Sequence, residues 1–248
     1  MTDFLNCDNG RRIAYNRIDG KGVGIVFLGG FMSDMEGTKA VALEDWARAQ
    51  GRPFLRFDYS GHGQSSGAFA DGCIGDWAED AQAAITELTE GPQILIGSSM
   101  GGWISLLMCK RMPQRVAGLV GIAAAPDFTE DRFWAGFSQD QRDELTEKGV
   151  TYVPSGYEEP YAISRRLIED GRENLVLREA LPLPFPVRLL QGTEDGSVTR
   201  EVALRLLDHI EGEDVSLTFV RHADHSFSTP ACLERVQNAV LEIDAAIG

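Results

Sequence analysis

The stretch Ile94–Gly102, ILIGSSMGG in one-letter code, decides how this chain folds. It starts as an apolar run typical of a buried strand and continues into a segment of helical composition that Pro113 ends. The five residues from Gly97 fit the pattern G-x-S-x-G, which marks a sharp strand-to-helix turn with a serine at its apex. Because that turn is so tight, only small neighbours fit, and the central hydroxyl is pushed clear of the backbone. The stretch predicts that Ser99 is a nucleophile, whereas Ser98 lies off the apex and is a much weaker candidate.

Short apolar runs alternate with helical segments along the rest of the chain. The strand-like runs are Val23–Leu28, Phe54–Phe57, Ile94–Ile96, Val116–Ile122, Val187–Leu190 and Ser216–Val220, and the helical segments are Ala40–Gln50, Asp76–Leu88, Gly101–Met112, Arg200–Ile210 and Leu233–Ile247. Such alternation indicates βαβ units, and therefore an α/β fold with a mostly parallel central sheet and helices on both faces. Residues 11–18 alternate weakly and favour an antiparallel strand at the edge of that sheet.

One segment, at about 127–180, breaks this rhythm. It contains no convincing strand, and its spacing predicts two helices, around residues 132–148 and 160–171. We expect a single domain of residues 1–248 with a small helical cap inserted at about 127–180, and an ordinary long crossover is the alternative. The apolar and aromatic residues of this segment either line a pocket or dock the cap on the sheet; they are Phe128, Phe133, Trp134, Phe137, Tyr152, Tyr157 and Tyr161.

The charge of the chain limits its partners. The 248 residues include 23 Lys plus Arg against 38 Asp plus Glu, a net charge of −15, which repels phosphate backbones, so we expect no nucleic-acid partner. The longest apolar run is too short to span a bilayer, so we expect no stable membrane insertion. The start of the sequence lacks a signal-peptide pattern, and four scattered cysteines (Cys7, Cys73, Cys109 and Cys232) indicate free thiols. We therefore expect a cytoplasmic location; the oligomeric state stays open.

A serine nucleophile needs a base close to it. Four histidines are available, and His225 follows the last predicted strand, where α/β proteins build their sites. His222 is the second choice, because it belongs to the strand end. His62 lies in a glycine-rich turn that could approach the pocket, and His209 lies inside a predicted helix. The position in the chain therefore favours His225 as the general base.

The base in turn needs a carboxylate that fixes its tautomer. In chains with a G-x-S-x-G turn the order is serine, acid, histidine, so the acid should follow the strand Val187–Leu190. Asp195 is the natural candidate there, and its neighbour Glu194 is the rival. Asp224 adjoins the predicted base in sequence, but side chains of adjacent loop residues usually point apart, so we assign it a loop-ordering role.

Stabilising a developing oxyanion requires two positioned donors. One is the backbone N–H of Met100, directly after the nucleophile. We assign the other to the backbone N–H of Phe31, because Gly29 and Gly30 let the preceding loop approach a substrate closely. No cluster has metal-ligand spacing, and the glycine-rich stretch 61–67 lacks the lysine and the helix of a phosphate loop, so we expect no metal and no cofactor.

Together these segments resemble the α/β-hydrolase superfamily over nearly the whole chain. The resemblance is carried by Gly29–Phe31, Asp58–Ser65, Gly97–Trp103, Asp195 and His225, and the segments 31–40, 56–61 and 91–99 are similar to mitochondrial palmitoyl-protein thioesterases, also described as esterases of mycophenolic acid acyl-glucuronide. The resemblance implies an α/β-hydrolase fold, a triad of Ser99, Asp195 and His225, and hydrolysis of esters or thioesters without a cofactor. The chain departs from that family at Gly29, where a proline is common, and after Val198, where a proline is missing.

We therefore expect a serine hydrolase that cleaves carboxylic esters or thioesters through an acyl-enzyme. The resemblance implies S-depalmitoylation or acyl-glucuronide hydrolysis, with a small molecule or an acylated protein as the substrate. The same triad also serves small-molecule carboxylesterases, lactonases, peptidases and carbon–carbon bond hydrolases. A ligand-binding sensor with a hydrolase fold is the remaining alternative, since a fold alone does not set function.

Overall fold

The computed structural model describes residues 2–154 and 160–248, and strands and helices alternate through it. The strands are β1 (Asp3–Asn6), β2 (Arg12–Ile18), β3 (Gly24–Leu28), β4 (Phe54–Phe57), β5 (Gln93–Ser98), β6 (Val116–Ile122), β7 (Val150–Val153), β8 (Tyr161–Ser164), β9 (Leu181–Pro182), β10 (Val187–Gly192), β11 (Ile210–Glu211) and β12 (Val215–Val220). The helices are α1 (Thr38–Ala49), α2 (Ile74–Leu88), α3 (Met100–Arg111), α4 (Gln139–Lys148), α5 (Arg165–Glu173), α6 (Arg200–His209) and α7 (Pro230–Ile247).

The central sheet has eight strands in the order β1-β2-β4-β3-β5-β6-β10-β12. From β4 to β12 all neighbours run parallel, whereas β2 pairs antiparallel with both β4 and β1. The mostly parallel sheet is the predicted one, and the antiparallel strand expected at residues 11–18 is β2. The outermost strand, β1, was not predicted, because its four residues are too few for alternation to stand out.

Alternate residues of the central strands enter two separate cores, one on each face of the sheet. Val26 and Leu28 pack with the apolar stripes of α2 and α3, which include Trp77. Ile25 and Phe27 of the same strand pack with α1 and α7 on the opposite face. Because each side is covered by helices, the strands can be apolar throughout, and each fully buried side chain contributes about 1.5–3 kcal/mol to stability.

The prediction that the segment 127–180 lacks strands is wrong. The strands β7 and β8 pair antiparallel in a separate two-stranded sheet, with Val150 opposite Ser164 and Val153 opposite Tyr161. Each has only four residues, so no alternating pattern is visible in the sequence. The left-handed Gly149 (φ +79°), which ends α4, supplies the turn into β7.

The two helices predicted in this segment begin later than expected. A π-helical turn at Thr129–Trp134 replaces the start of the first, and α4 follows Ser138, which forms a reciprocal capping box with Gln141. The second, α5, starts at Arg165 because the hydroxyl of Ser164 accepts a hydrogen bond from the Leu167 N–H at 3.1 Å. None of the helices within the described residues is long and apolar enough to cross a membrane.

Candidate active site

Ser99 lies at the apex of the turn between β5 and α3, as the sequence predicts. Its backbone is in the left-handed region, at φ +55°, which is strained for a residue with a side chain. The turn is held by the hydrogen bond from the Ser99 N–H to the carbonyl of Ile122 at 2.9 Å. A Cβ atom on Gly97 would lie 2.4 Å from the carbonyl oxygen of Gly101, and one on Gly101 would lie 2.0 Å from that of Leu28. Glycine is therefore required on both sides of the serine.

Ser99 meets His225 and Asp195 at the carboxyl end of the sheet. The Nε2 atom of His225 lies 3.1 Å from the Oγ of Ser99, and its Nδ1 atom lies 2.8 Å from the Oδ2 of Asp195. The three residues follow β5, β12 and β10, respectively, so the structure brings together the side chains that the sequence singled out. The exposed fraction of the His225 side chain is 32%, against 1% for Asp195. The histidine can therefore face a substrate, whereas the carboxylate is shielded from water.

Four hydrogen-bond donors surround the Asp195 carboxylate. Its Oδ1 accepts the backbone N–H groups of Ser197 at 2.7 Å and Val198 at 2.8 Å. Its Oδ2 accepts His225 and the side-chain amide of Gln191, which lies at 3.0 Å. Burial alone would raise the pKa of Asp195, but the hydrogen bonds from His225 and the two backbone amides outweigh it and hold that pKa below its usual value. The carboxylate therefore stays ionised and accepts a hydrogen bond from Nδ1 of His225, which keeps the proton of the imidazole on Nδ1.

The rival residues lie away from this arrangement. The carboxylate of Glu194 lies 2.5 Å from the Nδ1 of His222, and both side chains are more than half exposed. Asp224 accepts hydrogen bonds from the Ser226 hydroxyl at 2.7 Å and the Phe227 N–H at 3.1 Å, which is the loop-ordering role expected for it. The geometry therefore selects Asp195 and His225 from the alternatives that the sequence left open.

The loop Gly29–Ser33 passes close to the serine. An added Cβ on Gly30 would lie 3.4 Å from the Cβ of Ser99, and Phe31 follows Gly30 directly in the loop. The Met100 amide is the first of α3, where backbone N–H groups have no partner within their own helix. Of the two amides assigned to the oxyanion site, that of Met100 therefore follows Ser99 directly, and that of Phe31 belongs to the loop that passes Ser99.

His62, a weak candidate for the base, is bound to this same loop instead. Its ring is buried, its Nδ1 lies 3.2 Å from the carbonyl oxygen of Ser60, and its Nε2 lies 3.3 Å from the backbone nitrogen of Met32. A carbonyl can only accept, so Nδ1 carries the proton and Nε2 accepts the Met32 N–H. Burial lowers the pKa of His62, which keeps the ring neutral. Sequence reasoning missed this role, because only the fold places the turn after β4 beside the loop after β3.

A cavity of about 530 Å³ opens at Ser99 and His225. Its apolar wall includes the cap residues Phe128, Phe133 and Tyr161 together with Phe31, whose ring meets all three edge-on. The other aromatic residues of the segment have different surroundings. Trp134 packs against Phe137 and two arginines, and Tyr152 is exposed. Tyr157 lies outside the described residues. Of the two alternatives that the sequence left open, lining a pocket therefore applies to Phe128, Phe133 and Tyr161.

In the part of the chain that the structure describes, no group of three or more His, Cys, Asp or Glu residues is arranged to hold a metal ion. The groups gathered at Ser99 are a hydroxyl, an imidazole, a carboxylate and backbone amides. These are the groups that acyl transfer uses.

Comparisons with known proteins agree with this chemistry. A family model described as serine aminopeptidase, S33, matches residues 24–150. The mitochondrial palmitoyl-protein thioesterase ABHD10 of Rattus norvegicus is 37% identical over 88% of this chain and 74% of its own. A putative hydrolase from Agrobacterium vitis S4 superposes with a TM-score of 0.93 at 39% identity over 98% of both chains. The α/β-hydrolase domain-containing protein 10 from mouse superposes with a TM-score of 0.92 at 33% identity over the full length of both.

The comparisons overturn one prediction and establish the family. The expectation of a cytoplasmic location was wrong, because five mammalian palmitoyl-protein thioesterases that match this chain are mitochondrial proteins. The composition misled here, because acidic charge and free thiols are equally compatible with other reducing compartments. The fold, the serine turn and the relatives agree: the chain belongs to the α/β-hydrolases of the serine aminopeptidase S33 family, together with palmitoyl-protein thioesterase ABHD10, and is a serine ester or thioester hydrolase.

Proposed function

We propose that Ser99, His225 and Asp195 form the catalytic triad of this hydrolase. The observation that carries the proposal is the continuous chain of contacts from the Ser99 hydroxyl through both nitrogens of His225 to Asp195. The strained backbone at Ser99 supports it, because strain of this kind persists where a site requires it.

The geometry leads to a two-step reaction. Nε2 of His225 removes the hydroxyl proton as Ser99 attacks the acyl carbon, and the N–H groups of Phe31 and Met100 hold the developing oxyanion. The protonated His225 then donates its proton to the departing alcohol or thiol, which leaves an acyl ester on Ser99. Water, deprotonated by the same nitrogen, releases the acid and restores the enzyme.

We assign a fatty-acyl thioester as the substrate class. The apolar wall of the cavity, with Phe31, Phe128 and Phe133, suits an acyl chain, and a volume of about 530 Å³ is ample for a ligand of that size. The relatives named palmitoyl-protein thioesterases support the same class. The side chains of Phe31, Phe128 and Phe133 carry no charge, so an acyl chain can be desolvated against them without leaving a buried charge unpaired.

We further infer that the chain is one domain in which the segment 127–180 caps the site. Apolar side chains of that segment, such as Leu145 and Ile163, belong to the same buried cluster as Trp77 and Leu95 of the body. The buried Asp127 also accepts the backbone N–H groups of residues 176 and 177 and so ties the two ends of the segment together. A cap fixed in this way shares the core of the sheet rather than forming a second domain.

Intact-mass measurement during turnover of a palmitoyl thioester tests this function. We expect the wild-type protein and Ser98→Ala to gain the mass of one acyl group, and Ser99→Ala to gain none and to lose detectable hydrolysis. A steady-state rate on the palmitoyl thioester above that on a matched acetyl thioester would support the assigned substrate class. An acyl adduct on Ser99→Ala would refute the nucleophile, and a preference for the acetyl thioester would refute the substrate class.

A further inference from the structure

Two cationic side chains, Lys39 and Arg132, line the cavity and form no salt bridge among the described residues. Lys39 donates a hydrogen bond from Nζ to the carbonyl of Ser226, and Arg132 donates one from its guanidinium to the carbonyl of Ser197. Neither side chain forms a salt bridge with any residue in the described ranges, 2–154 and 160–248. Within those ranges, each positive charge at the cavity lacks a carboxylate in salt-bridge contact, in a chain whose net charge is −15.

The acidic lining of the cavity does not cancel these charges. Asp131 also lines it, but its carboxylate is engaged by Arg178 on one oxygen and by Arg205, at 2.7 Å, on the other. Burial lowers the pKa of Lys39, and the nearby carboxylate of Asp224 only partly opposes that effect. A further anion beside Lys39 would relieve the same desolvation cost.

The position of the two cations identifies the part of the substrate that they face. Ser226 directly follows His225, and Ser197 belongs to the loop that carries Asp195. Lys39 and Arg132 are therefore both held on the His225 side of Ser99. His225 protonates the leaving alcohol or thiol, so the leaving group departs on that side, whereas the apolar wall remains for the acyl chain.

We propose that Lys39 and Arg132 form a binding site for an anionic group, a carboxylate or a phosphate, on the leaving group of the substrate. This inference rests on the proposed function, since it needs Ser99 as nucleophile and His225 as the acid that serves the leaving group. An acidic protein repels an incoming anion, and these two charges offset that repulsion, because among the described residues they line the cavity without forming a salt bridge. A hydrogen bond between charged groups changes affinity by about tenfold to a hundredfold, so each cation should contribute a measurable selectivity.

Matched substrate pairs test the proposal. One pair is 2-nitrophenyl hexanoate and its 5-carboxy derivative, which share the acyl chain and the position of the nitro group. A second pair is the hexanoyl thioester of pantetheine and that of 4′-phosphopantetheine, which differ only in one phosphate on the thiol. The quantity measured is the ratio of kcat/KM for the anionic over the neutral member, for the wild-type protein, Lys39→Met, Arg132→Gln and the double variant.

We expect the ratio to fall about tenfold or more in each single variant and further in the double variant. General damage to the fold or the triad lowers both members alike, so it leaves the ratio unchanged. Arg200→Gln is the matched control. Arg200 also donates to a carbonyl of the loop that carries Asp195, that of Thr193, but it does not line the cavity. Lys39→Arg should keep most of the ratio, because the charge remains.

The two pairs separate the sources of the anion. If the ratio falls for the first pair alone, the anion is a carboxylate. If it falls for the second pair, the anion is a phosphate. Either result supports the site. Ratios within about twofold of the wild-type value in both pairs, for both single variants and the double variant, would overturn it. The outcome is independent of the triad, because failure of the proposed function abolishes hydrolysis of the neutral esters as well. Inhibition of the wild-type protein provides a check without variants: 3-hydroxy-4-nitrobenzoate should inhibit more strongly than 2-nitrophenol, and equal inhibition would contradict the site.

Discussion

Replacing Asp195 with asparagine tests the triad at its least accessible member. The four partners of the Asp195 carboxylate are all donors. Asparagine replaces one carboxylate oxygen with an NH₂ group, which must then face some of these donors. The backbone N–H groups of Ser197 and Val198 cannot turn away. If the new NH₂ group faced them, two buried donors would be unpaired, at a cost of about 1–3 kcal/mol each. The new NH₂ group is therefore directed at His225, whose Nδ1 must then accept.

The consequence is a change of tautomer in His225. With Nδ1 accepting, the proton moves to Nε2, which then points an N–H at the Ser99 hydroxyl and can no longer remove its proton. A wrong tautomer of this kind lowers kcat by about 10⁴-fold, equivalent to about 5.5 kcal/mol of transition-state stabilisation. The geometry of the cavity is unchanged, so we expect KM to stay within about threefold of the wild-type value.

The assay is steady-state hydrolysis of a nitrophenyl ester by Asp195→Asn, with Glu194→Gln as the matched control. Glu194 is adjacent in sequence but pairs with His222 at the surface, so its variant should retain nearly full activity. A kcat for Asp195→Asn above a tenth of the wild-type value, or an equal loss in Glu194→Gln, would refute the reasoning. Stability supplies a second readout, because folding lowers the pKa of Asp195. The contribution of Asp195 to the free energy of unfolding is complete above the usual pKa of 3.8 and is lost as the pH falls through the lower folded value. The wild-type protein and Asp195→Asn should therefore converge in stability below pH 3.8.

Three further changes test the surroundings of the site. Gly101→Ala places a Cβ 2.0 Å from a main-chain carbonyl oxygen, so urea denaturation should show a free energy of unfolding lower by about 3 kcal/mol or more. Gly136→Ala is the control and should be neutral, because nothing lies within 4 Å of a Cβ there. Equal effects of the two variants would contradict the close approach at Gly101. His62→Phe removes the acceptor of the Met32 N–H and should lower kcat about tenfold with KM little changed. Because burial lowers the pKa of His62, its contribution to stability is present above pH 6.5 and is lost as the pH falls through the folded value, and the variant should lack that component. Asp127→Ala leaves two buried N–H groups unpaired, so limited proteolysis within residues 127–180 should be faster than in the wild-type protein, and unchanged cleavage would show that this residue does not hold the cap.

The sequence predicted the central sheet better than the cap, and the reason is physical. Strands such as Ile94–Ile96 are buried on both faces, so they are apolar throughout and end at glycine or polar residues that are easy to recognise. In the segment 127–180 the strands β7 and β8 have four residues each, and their side chains range from buried to exposed. The helix expected at residues 160–171 begins instead after Ser164, a boundary set by a single capping hydroxyl. Such local contacts leave no periodic signal.

The same contrast separates the triad from the residues that sequence reasoning missed. Ser99, Asp195 and His225 could be found because each follows a strand and belongs to a known chemical order. Lys39 and Arg132 carry no pattern, since one lies in the first turn of α1 and the other in a π-helical turn of the cap. They approach the site only because the carbonyl groups of its two loops are within their reach.

The register of the parallel strands determines where the loops of the proposed triad begin. Ser98 of β5 is aligned with Ile122 of β6, Ile122 with Leu190 of β10, and Leu190 with Thr218 of β12, and β10 and β12 continue to Gly192 and Val220. The turns extend this alignment, since the amides of residues 99, 123 and 193 each donate to the next strand at 2.9, 2.8 and 3.0 Å. Neighbouring strands are about 4.8 Å apart, so β12 lies roughly 14 Å from β5 and its loop must reach back over β6 and β10 to bring His225 to Ser99. Asp195, which follows the intervening β10, lies on the path of that loop. The backbone ladder therefore sets where the loops that carry Ser99, Asp195 and His225 start, whereas Lys39 and Arg132 lie on α1 and on the cap, outside this ladder.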